Sequence, residues 1–530
     1  MTVTILDTAD VRKLLSVRRQ AVIALQEWFR RHAYSLAAVV PILALVGTVR
    51  GVGMSTYPRY VDDPGTYLSQ AWSIRYEGTL SPYSYFYDHA PAGWIQMSLW
   101  SMLTNGLNRY DSAIGFGNEC MLIAALVSTA LVFALGRRLG LTRIGSAGAA
   151  LLFGLCPLAV LYGRWTFLDN IVTPWLLAAF ILALSPRRSI GAAAGAALCF
   201  AMATLTKETA LVLLPAIAWA LWQNSDRRNR APLLTVAAGA GLLLMAMYPL
   251  LAVFKGELFQ GPGHNSLLGT AMWQLSGRQS SGSLLSAGSS MRVLFEQWLS
   301  QDRLLILGGL AAVPVAVVAL RFRPIALALV IGWLLMVRGG YVPFMHVITL
   351  LPWSALLLAG ALEVVARGWL LHRWRHAESR PRAAWRVGVA AVLAGALLAA
   401  AAMTWPARLG PMMTTPEVPA MRAAELWVAD NVPRNKELVV HDSIWVDLVH
   451  RYRFNPRPII VHKLDSDPAV RRSLKRIDYI VVPNWYLTNP VGAQAYPTLL
   501  EARKHAVAVA NFGTGSDGVG VYRVSAYWRP

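Results

Sequence analysis

The chain has 530 residues, of which 55% are hydrophobic and only 15% charged, whereas soluble globular chains carry about 25% charged residues. That deficit is spread over many apolar stretches long enough to cross a bilayer, which excludes a soluble enzyme and a disordered chain and leaves a polytopic membrane protein. Lys and Arg number 49 against 28 Asp and Glu, a formal net charge of +21; much of it sits in short segments between apolar runs, where the positive-inside bias places it, and gives no ground for a nucleic-acid partner.

Residues 1–33 contain acidic residues and no small-residue cleavage site behind a short apolar core, so they predict a cytoplasmic amphipathic lead-in and not a signal peptide. The apolar runs that follow predict about eleven membrane-spanning helices, at 34–54, 112–135, 145–163, 168–185, 189–205, 208–223, 232–254, 303–321, 324–338, 341–365 and 385–404. Basic clusters at Arg12–Arg31, Arg137–Arg143, Arg187–Arg188, Arg227–Arg230, Arg321–Arg323 and Arg367–Arg386 all fall on one side of this arrangement, which is then the cytoplasm. A transmembrane domain over 34–404 follows, with outer loops 55–111 and 255–302, the second rich in Gly and Ser. Residues 405–530 lie outside. Cys120, Cys156 and Cys199 are odd in number, scattered and each within an apolar run, so they predict buried thiols and neither a zinc site nor a disulfide.

The last segment reads as a small α/β domain. Apolar, β-branched runs occur at Leu438–Val440, Ile459–Val461, Ile477–Val482, Val507–Val509 and Val519–Val524, with helical patterns near 416–430, 468–476 and 494–504. That alternation predicts βαβ units on a mainly parallel sheet. No nucleotide-binding glycine fingerprint is present, so a recognition or scaffolding role is expected of this part.

Chemistry-bearing residues collect at the outer ends of the predicted spans. The first outer loop holds Asp62-Asp63-Pro64-Gly65-Thr66-Tyr67 and, later, Tyr87-Asp88-His89-Ala90-Pro91. Its adjacent carboxylates suit a general base or a cation site, and equally the cap of a helix, because Asp before Pro-Gly is common turn chemistry. The interleaved aromatics suit stacking on a sugar or lipid, or an interfacial belt. Arg164 and Asp169 flank one short outer turn, Lys207 and Glu208 occupy the next, and Arg338 ends a later span. Such charges either snorkel to water or serve a site that handles an anion; their convergence on one face favours the second, with Lys207, Arg338 and Arg164 as a cationic clamp for a phosphate.

The Asp-Asp-Pro-Gly-Thr-Tyr run, followed about twenty residues later by Tyr-Asp-His-Ala-Pro-Ala-Gly-Trp, resembles the first-loop signature of the GT-C glycosyltransferases, especially the protein O-mannosyltransferase-like and lipid A aminoarabinose transferase-like membrane enzymes. The Thr206-Lys207 turn is similar to that group's lysine turn, and Arg164 to Asp169 to its Arg-to-Asp outer turn. Pro64 stands where the group usually has Glu, and Ala90 replaces the first of two prolines. The resemblance covers roughly residues 34–365. It implies Asp63 as the catalytic aspartate with Asp62 as second choice, Lys207 facing a lipid phosphate, and Asp88 and His89 as the second half of the loop signature; Tyr67, Tyr87 and Asp169 join these as candidates for holding sugar or acceptor.

The expected protein is therefore a multi-pass α-helical membrane protein of GT-C-like fold with an extracytoplasmic α/β domain, in a bacterial inner membrane. It would move a sugar from a polyprenyl-phosphate donor to a cell-envelope glycan, lipid or protein acceptor, with inversion. No cofactor is firmly implied; a divalent cation is left open. The reading from another class is a transporter or flippase of lipids or polysaccharides, for which charges near the membrane midplane on interrupted helices would be the sign.

Overall fold

The computed structural model describes residues 8–261, 264–367, 380–488 and 496–528. The start of the predicted lead-in, part of the Arg367–Arg386 cluster and the first residues of the 494–504 helical pattern lie outside the described residues.

Each of the eleven predicted apolar runs is helical. Among the described residues, six helices are long and apolar enough to cross a membrane unaided; Ser290–Gln301 and Arg303–Ala316 are apolar enough only together, and they are bent by 105° at Asp302, as in a broken span or a re-entrant loop. The remaining apolar helices are short or interrupted. Pro157 breaks the third run into Arg143–Leu155 and Pro157–Tyr162, and Glu208–Leu213 is a tighter helical turn ahead of Leu214–Asn224. The first helix is longer than predicted. It runs from Thr8 to Gly51, so most of the lead-in continues the first span without a break.

Burial separates the centre of the bundle from its rim. The span Phe344–Arg367 has 78% of its apolar window buried, against 17% for Phe29–Gly51 and 11% for the stretch from Trp385. The first and the stretch from Trp385 therefore lie at the edge, where lipid replaces protein neighbours. The Ala- and Gly-rich helix Ile190–Thr206 packs between Leu168–Ala183 and Arg230–Phe254; small side chains let those helix backbones approach closely.

One buried cation explains how the broken third run is tolerated. Pro157 has no N–H, which frees the carbonyl of Phe153 and disturbs the turn around it. The fully buried Arg50 of the first helix fills this gap, donating to the carbonyls of Gly154 (3.0 Å), Ala159 (2.9 Å) and Phe153 (3.4 Å).

The carboxy-terminal part carries a five-stranded sheet in the order β2-β1-β3-β5-β4, with β1 Leu438–Val440, β2 Ile459–Ile460, β3 Tyr479–Pro483, β4 Ala506–Phe512 and β5 Val519–Val524. β1 pairs in parallel with β2 and β3, while β3–β5 and β5–β4 are antiparallel. The sheet is thus mixed and not mainly parallel. The reason is local: six residues, Gly513 to Gly518, join β4 to β5, and a connection that short permits only a hairpin.

One face of this sheet closes a core within the unit, around Val439, Ile480, Val482 and Leu499; the other face does not. Leu438, Val440, Trp445, Val446, Val481 and Val521 share one apolar cluster with Leu68 and Trp72 of the first outer loop and with Ile114 and Phe116 of the second long span. The backbone N–H of Ala113, at the start of that span, donates to both carboxylate oxygens of Asp447 (3.1 and 3.0 Å). An acidic side chain from the sheet unit therefore sits on the positive end of a membrane helix.

Candidate active site

The first outer loop folds as a helix, Pro64–Glu77, whose entry turn is Asp62-Asp63. Proline at the first helical position costs nothing, since that N–H has no partner within the helix. Asp63 occupies the cap position with φ +85° and ψ −50°, and its side chain makes no capping hydrogen bond. The cap comes from another part of the chain. Asp442 Oδ2 accepts from the Thr66 backbone N–H at 2.9 Å and from its hydroxyl at 3.1 Å. Gly65 permits this docking, because a Cβ there would lie 2.2 Å from the backbone carbonyl of Asp442. The carboxylate of Asp63 is consequently spared from capping and held in a backbone region that non-glycine residues rarely adopt, where strain often marks function.

Asp63 faces a cluster of charge. Burial pushes its carboxyl above the usual carboxylate range; Lys207, His89 and Arg278 pull it back down, and Asp88 pushes it further up. Lys207 Nζ donates to Asp169 Oδ2 at 2.6 Å, and both side chains are almost completely buried. His89 Nδ1 lies 3.0 Å from Glu208 Oε2, while the backbone N–H of Ala90 donates to the other oxygen of the same carboxylate. Burial lowers the His89 imidazole, but the Glu208 contact outweighs it and the net shift is upward. Asp88 Oδ1 is buried without a hydrogen-bond partner.

Aromatic rings wall this cluster. Tyr67 stacks on Trp94 with ring centres 6.3 Å apart, and its ring centre lies 6.2 Å from that of His89. The Tyr85 hydroxyl donates to the carbonyl of His89 at 2.6 Å. Tyr87, itself at φ +57°, donates to Glu257 Oε2 at 2.5 Å, and Glu257 pairs with Lys255 at 3.0 Å. An apolar cavity of about 370 Å³ opens beside the site between the helices Ala92–Thr104, Ala113–Arg138 and Leu168–Ala183, lined by Met97, Trp100, Ile123, Val127, Ile171 and Trp175 among others. Its polar member, Gln96, accepts from Trp175 Nε1 at 2.8 Å and donates to Thr206 Oγ1 at 3.3 Å, so the cavity borders the residue before Lys207.

The structure therefore brings Asp63, Tyr67, Asp88, His89, Asp169 and Lys207 into one region, with Tyr87 on its aromatic wall. Two predicted residues, Arg164 and Asp62, go elsewhere. Arg164 is buried, and its guanidinium donates to the carbonyls of Val49 (2.9 Å), Val52 (2.7 Å) and Met412. It clasps the carboxyl ends of the first helix and of Arg380–Thr414, a usual task for a cation at helix ends, and those donors are not offered to a phosphate. Arg338 ends its helix exposed, just before the positive-φ pair Gly339-Gly340 and three residues from Tyr341. Asp62 turns away from its neighbour. It accepts the Tyr486 hydroxyl and lies 3.5 Å from His441 Nε2, so it faces the sheet unit.

Arg278 was missed in the sequence. It lies over the Tyr341 ring, 3.5 Å from its centre, and joins the electrostatic surroundings of Asp63. The available signal was its isolation: it is the single Lys or Arg between Lys255 and Arg292, in a Gly- and Ser-rich stretch. His441, Asp442 and Tyr486 gave no such signal, since they belong to a segment read as scaffold.

Comparison with known proteins places this geometry in context. A family model described as dolichyl-phosphate-mannose-protein mannosyltransferase matches residues 117–251. No curated protein matches the chain in sequence. Among solved structures, the chain is similar to ArnT from Cupriavidus metallidurans bound to undecaprenyl phosphate, with a TM-score of 0.53 at 15% identity over 93% of this chain and 99% of that one. It is also similar to the archaeal oligosaccharyltransferase AglB from Archaeoglobus fulgidus, in complex with an inhibitory peptide and a dolichol-phosphate, with a TM-score of 0.55 at 14% identity over 95% of this chain and 75% of that one.

Proposed function

We propose that this chain, a membrane protein with the GT-C glycosyltransferase fold, transfers a sugar from a polyprenyl-phosphate donor to an acceptor hydroxyl, with Asp63 as general base. The observation that carries the reading is the placement of Asp63. Its carboxylate is withheld from helix capping, set at a strained φ, and surrounded by Lys207, His89 and Arg278 beside an apolar cavity. An acceptor hydroxyl ionises far above pH 7 and requires a base within hydrogen-bond reach. As the glycosidic bond breaks, negative charge grows on the lipid phosphate, and Lys207 and Arg278 are the cations positioned to stabilise it. The cavity suits the first isoprene units of the lipid, in keeping with the undecaprenyl phosphate and dolichol-phosphate held by the similar proteins. Direct attack by the hydroxyl inverts the anomeric carbon. We place the reaction at the outer face of the bacterial cytoplasmic membrane, with a cell-envelope glycan, lipid or protein as acceptor.

The test is transfer from a radiolabelled polyprenyl-phosphate sugar by the purified chain in lipid nanodiscs. Asp63→Asn is expected to lower turnover by about 10²–10⁴-fold, the usual cost of a missing general base, while donor binding persists. Turnover at the wild-type rate in Asp63→Asn would remove Asp63 from the chemistry and this reading with it.

A further inference from the structure

At the end of the bundle away from the sheet unit, a cavity of about 1090 Å³ opens between the first helix and Ala113–Arg138. Arg31, Arg137, Arg138, Arg143, Arg188 and Arg321 line it, and none of the described residues around it is acidic. Arg31 and Arg188 pair with Glu27 and Asp226 beyond the lining. Arg137 donates to the carbonyl of Leu141, and Arg143 Nε lies 3.4 Å from the Ser35 hydroxyl; neither partner is charged. Among the described residues, no carboxylate pairs with Arg137, Arg138, Arg143 or Arg321.

The wall changes character with depth. The two helices run antiparallel, since Gly51 meets Leu122 and Gly47 meets Leu126. Arg31, Ser35 and Val39 line the cavity at intervals of four residues on the first helix, as do Arg138, Ala134 and Ala130 on its neighbour; residues four apart share a helix face. Eight residues of helix rise about 12 Å, more than the roughly 5–8 Å that headgroups occupy in each leaflet. Both walls therefore pass from guanidinium at the rim to aliphatic side chains at acyl depth, where Leu36 and Leu131 join them. A concave space lined by one sign of charge over walls of low dielectric concentrates counter-ions. A free anion would leave the apolar walls unused, and an acidic protein would meet only the rim. A lipid with a charged head fits both levels.

We infer that this cavity binds an anionic glycerophospholipid, with its phosphate among Arg137, Arg138, Arg143 and Arg321 and its acyl chains along Leu36, Val39 and Leu131. Guanidinium forks match phosphate oxygens bidentately, and basic pockets between membrane helices bind such headgroups. The lipid joins the first helix to Ala113–Arg138 and to the segments carrying Arg143 and Arg321, which this end of the bundle otherwise holds apart by like charge. The sheet unit meets the other end of Ala113–Arg138, so the site is remote from that unit, and its occupancy does not depend on which sugar, or any sugar, is transferred.

The test titrates the full chain, purified in detergent and freed of lipid, with cardiolipin or phosphatidylcholine, with inorganic phosphate as competitor and native mass spectrometry as readout. Cardiolipin is expected to bind at least about 10-fold more tightly than the zwitterionic lipid, and phosphate not to displace it. Arg137→Gln with Arg321→Gln should weaken cardiolipin about 25-fold, roughly 5-fold for each arginine. Arg228→Gln removes the same charge from an exposed position four residues beyond the cavity-lining Asn224, and should bind like the wild type. Ala134→Trp fills the cavity from its apolar wall without changing charge, and should lose the lipid; if it fails to fold, the arginine pair still decides. Equal binding of the two lipids, wild-type binding by the arginine pair, or an equal loss in Arg228→Gln would overturn the site. Displacement by phosphate, or an added protein mass that cardiolipin does not displace, would overturn the lipid as occupant. Because the readout is binding, its failure leaves the transfer reading standing, and the converse holds.

Discussion

Asp62 and Asp63 are neighbours in sequence but serve opposite partners, and a single backbone torsion divides them. With Asp63 at φ +85°, its carboxylate lies in the field of Lys207 and His89, while Asp62 points to Tyr486 and His441. The pair was legible as a candidate site from the motif, and Lys207 as a candidate cation from its place in a short turn between apolar runs. The partner that spares Asp63 was not legible, because Asp442 lies 376 residues beyond Thr66. The ion pair Lys207–Asp169 was likewise visible only as two separate outer-turn charges. Its burial sets a prediction. Removing one member leaves the other charge buried and alone, at a cost of about 3–5 kcal/mol, so Lys207→Ala should lower Tm as well as transfer. The double change Lys207→Met with Asp169→Leu should recover most of the Tm, because an apolar pair of similar volume replaces a buried ion pair at little cost. Transfer should stay lost in the double variant, as measured by turnover of a polyprenyl-phosphate sugar. Wild-type turnover in that variant would show that Lys207 serves only the fold.

At the scale of elements, the apolar runs located the helices well, because length and hydrophobicity decide what can sit in a bilayer. They did not show how interruptions are repaired. Pro157 announces a break, yet its compensation by Arg50 crosses more than a hundred residues, and an arginine at the end of an apolar run otherwise reads as a snorkelling cation. The same holds for Arg164, whose place beside Asp169 suggested phosphate binding while its donors serve three helix-end carbonyls. In the sheet unit the strands were legible from β-branched runs, but their mixed pairing was set by the short β4–β5 link. Arg50→Met should therefore destabilise the chain markedly, since each carbonyl left without a partner in an apolar interior costs about 1–3 kcal/mol. Thermal unfolding in detergent should place its midpoint well below that of the wild type, whereas Leu45→Ala on the exposed side of the same helix should change it far less. Equal midpoints for the two variants would mean that the broken helix is supported by something other than Arg50.

For the whole molecule, orientation follows from one helix with different ends. Ala113–Arg138 has 26 residues and so spans about 39 Å, enough to cross a bilayer. Its amino end meets Asp447 of the sheet unit. Its carboxyl end contributes Arg137 and Arg138 to a cavity of about 1090 Å³ that Arg31, Arg143, Arg188 and Arg321 also line. Four basic clusters, far apart in sequence, thus gather at one end of the bundle, away from the sheet unit. Short basic segments are retained on the cytoplasmic side, which would set the sheet unit and the Asp63 cluster on the opposite face. Shared apolar packing between the sheet unit and the first outer loop requires both to be on the same side, so the orientation of one determines that of the other. Alkaline phosphatase, active only outside the cytoplasm, reports this directly. Fusions at Gly140 and Arg228 should be inactive and a fusion at Thr415 active. An inactive Thr415 fusion would put the sheet unit in the cytoplasm, and the acceptor would then have to be sought on the inner face.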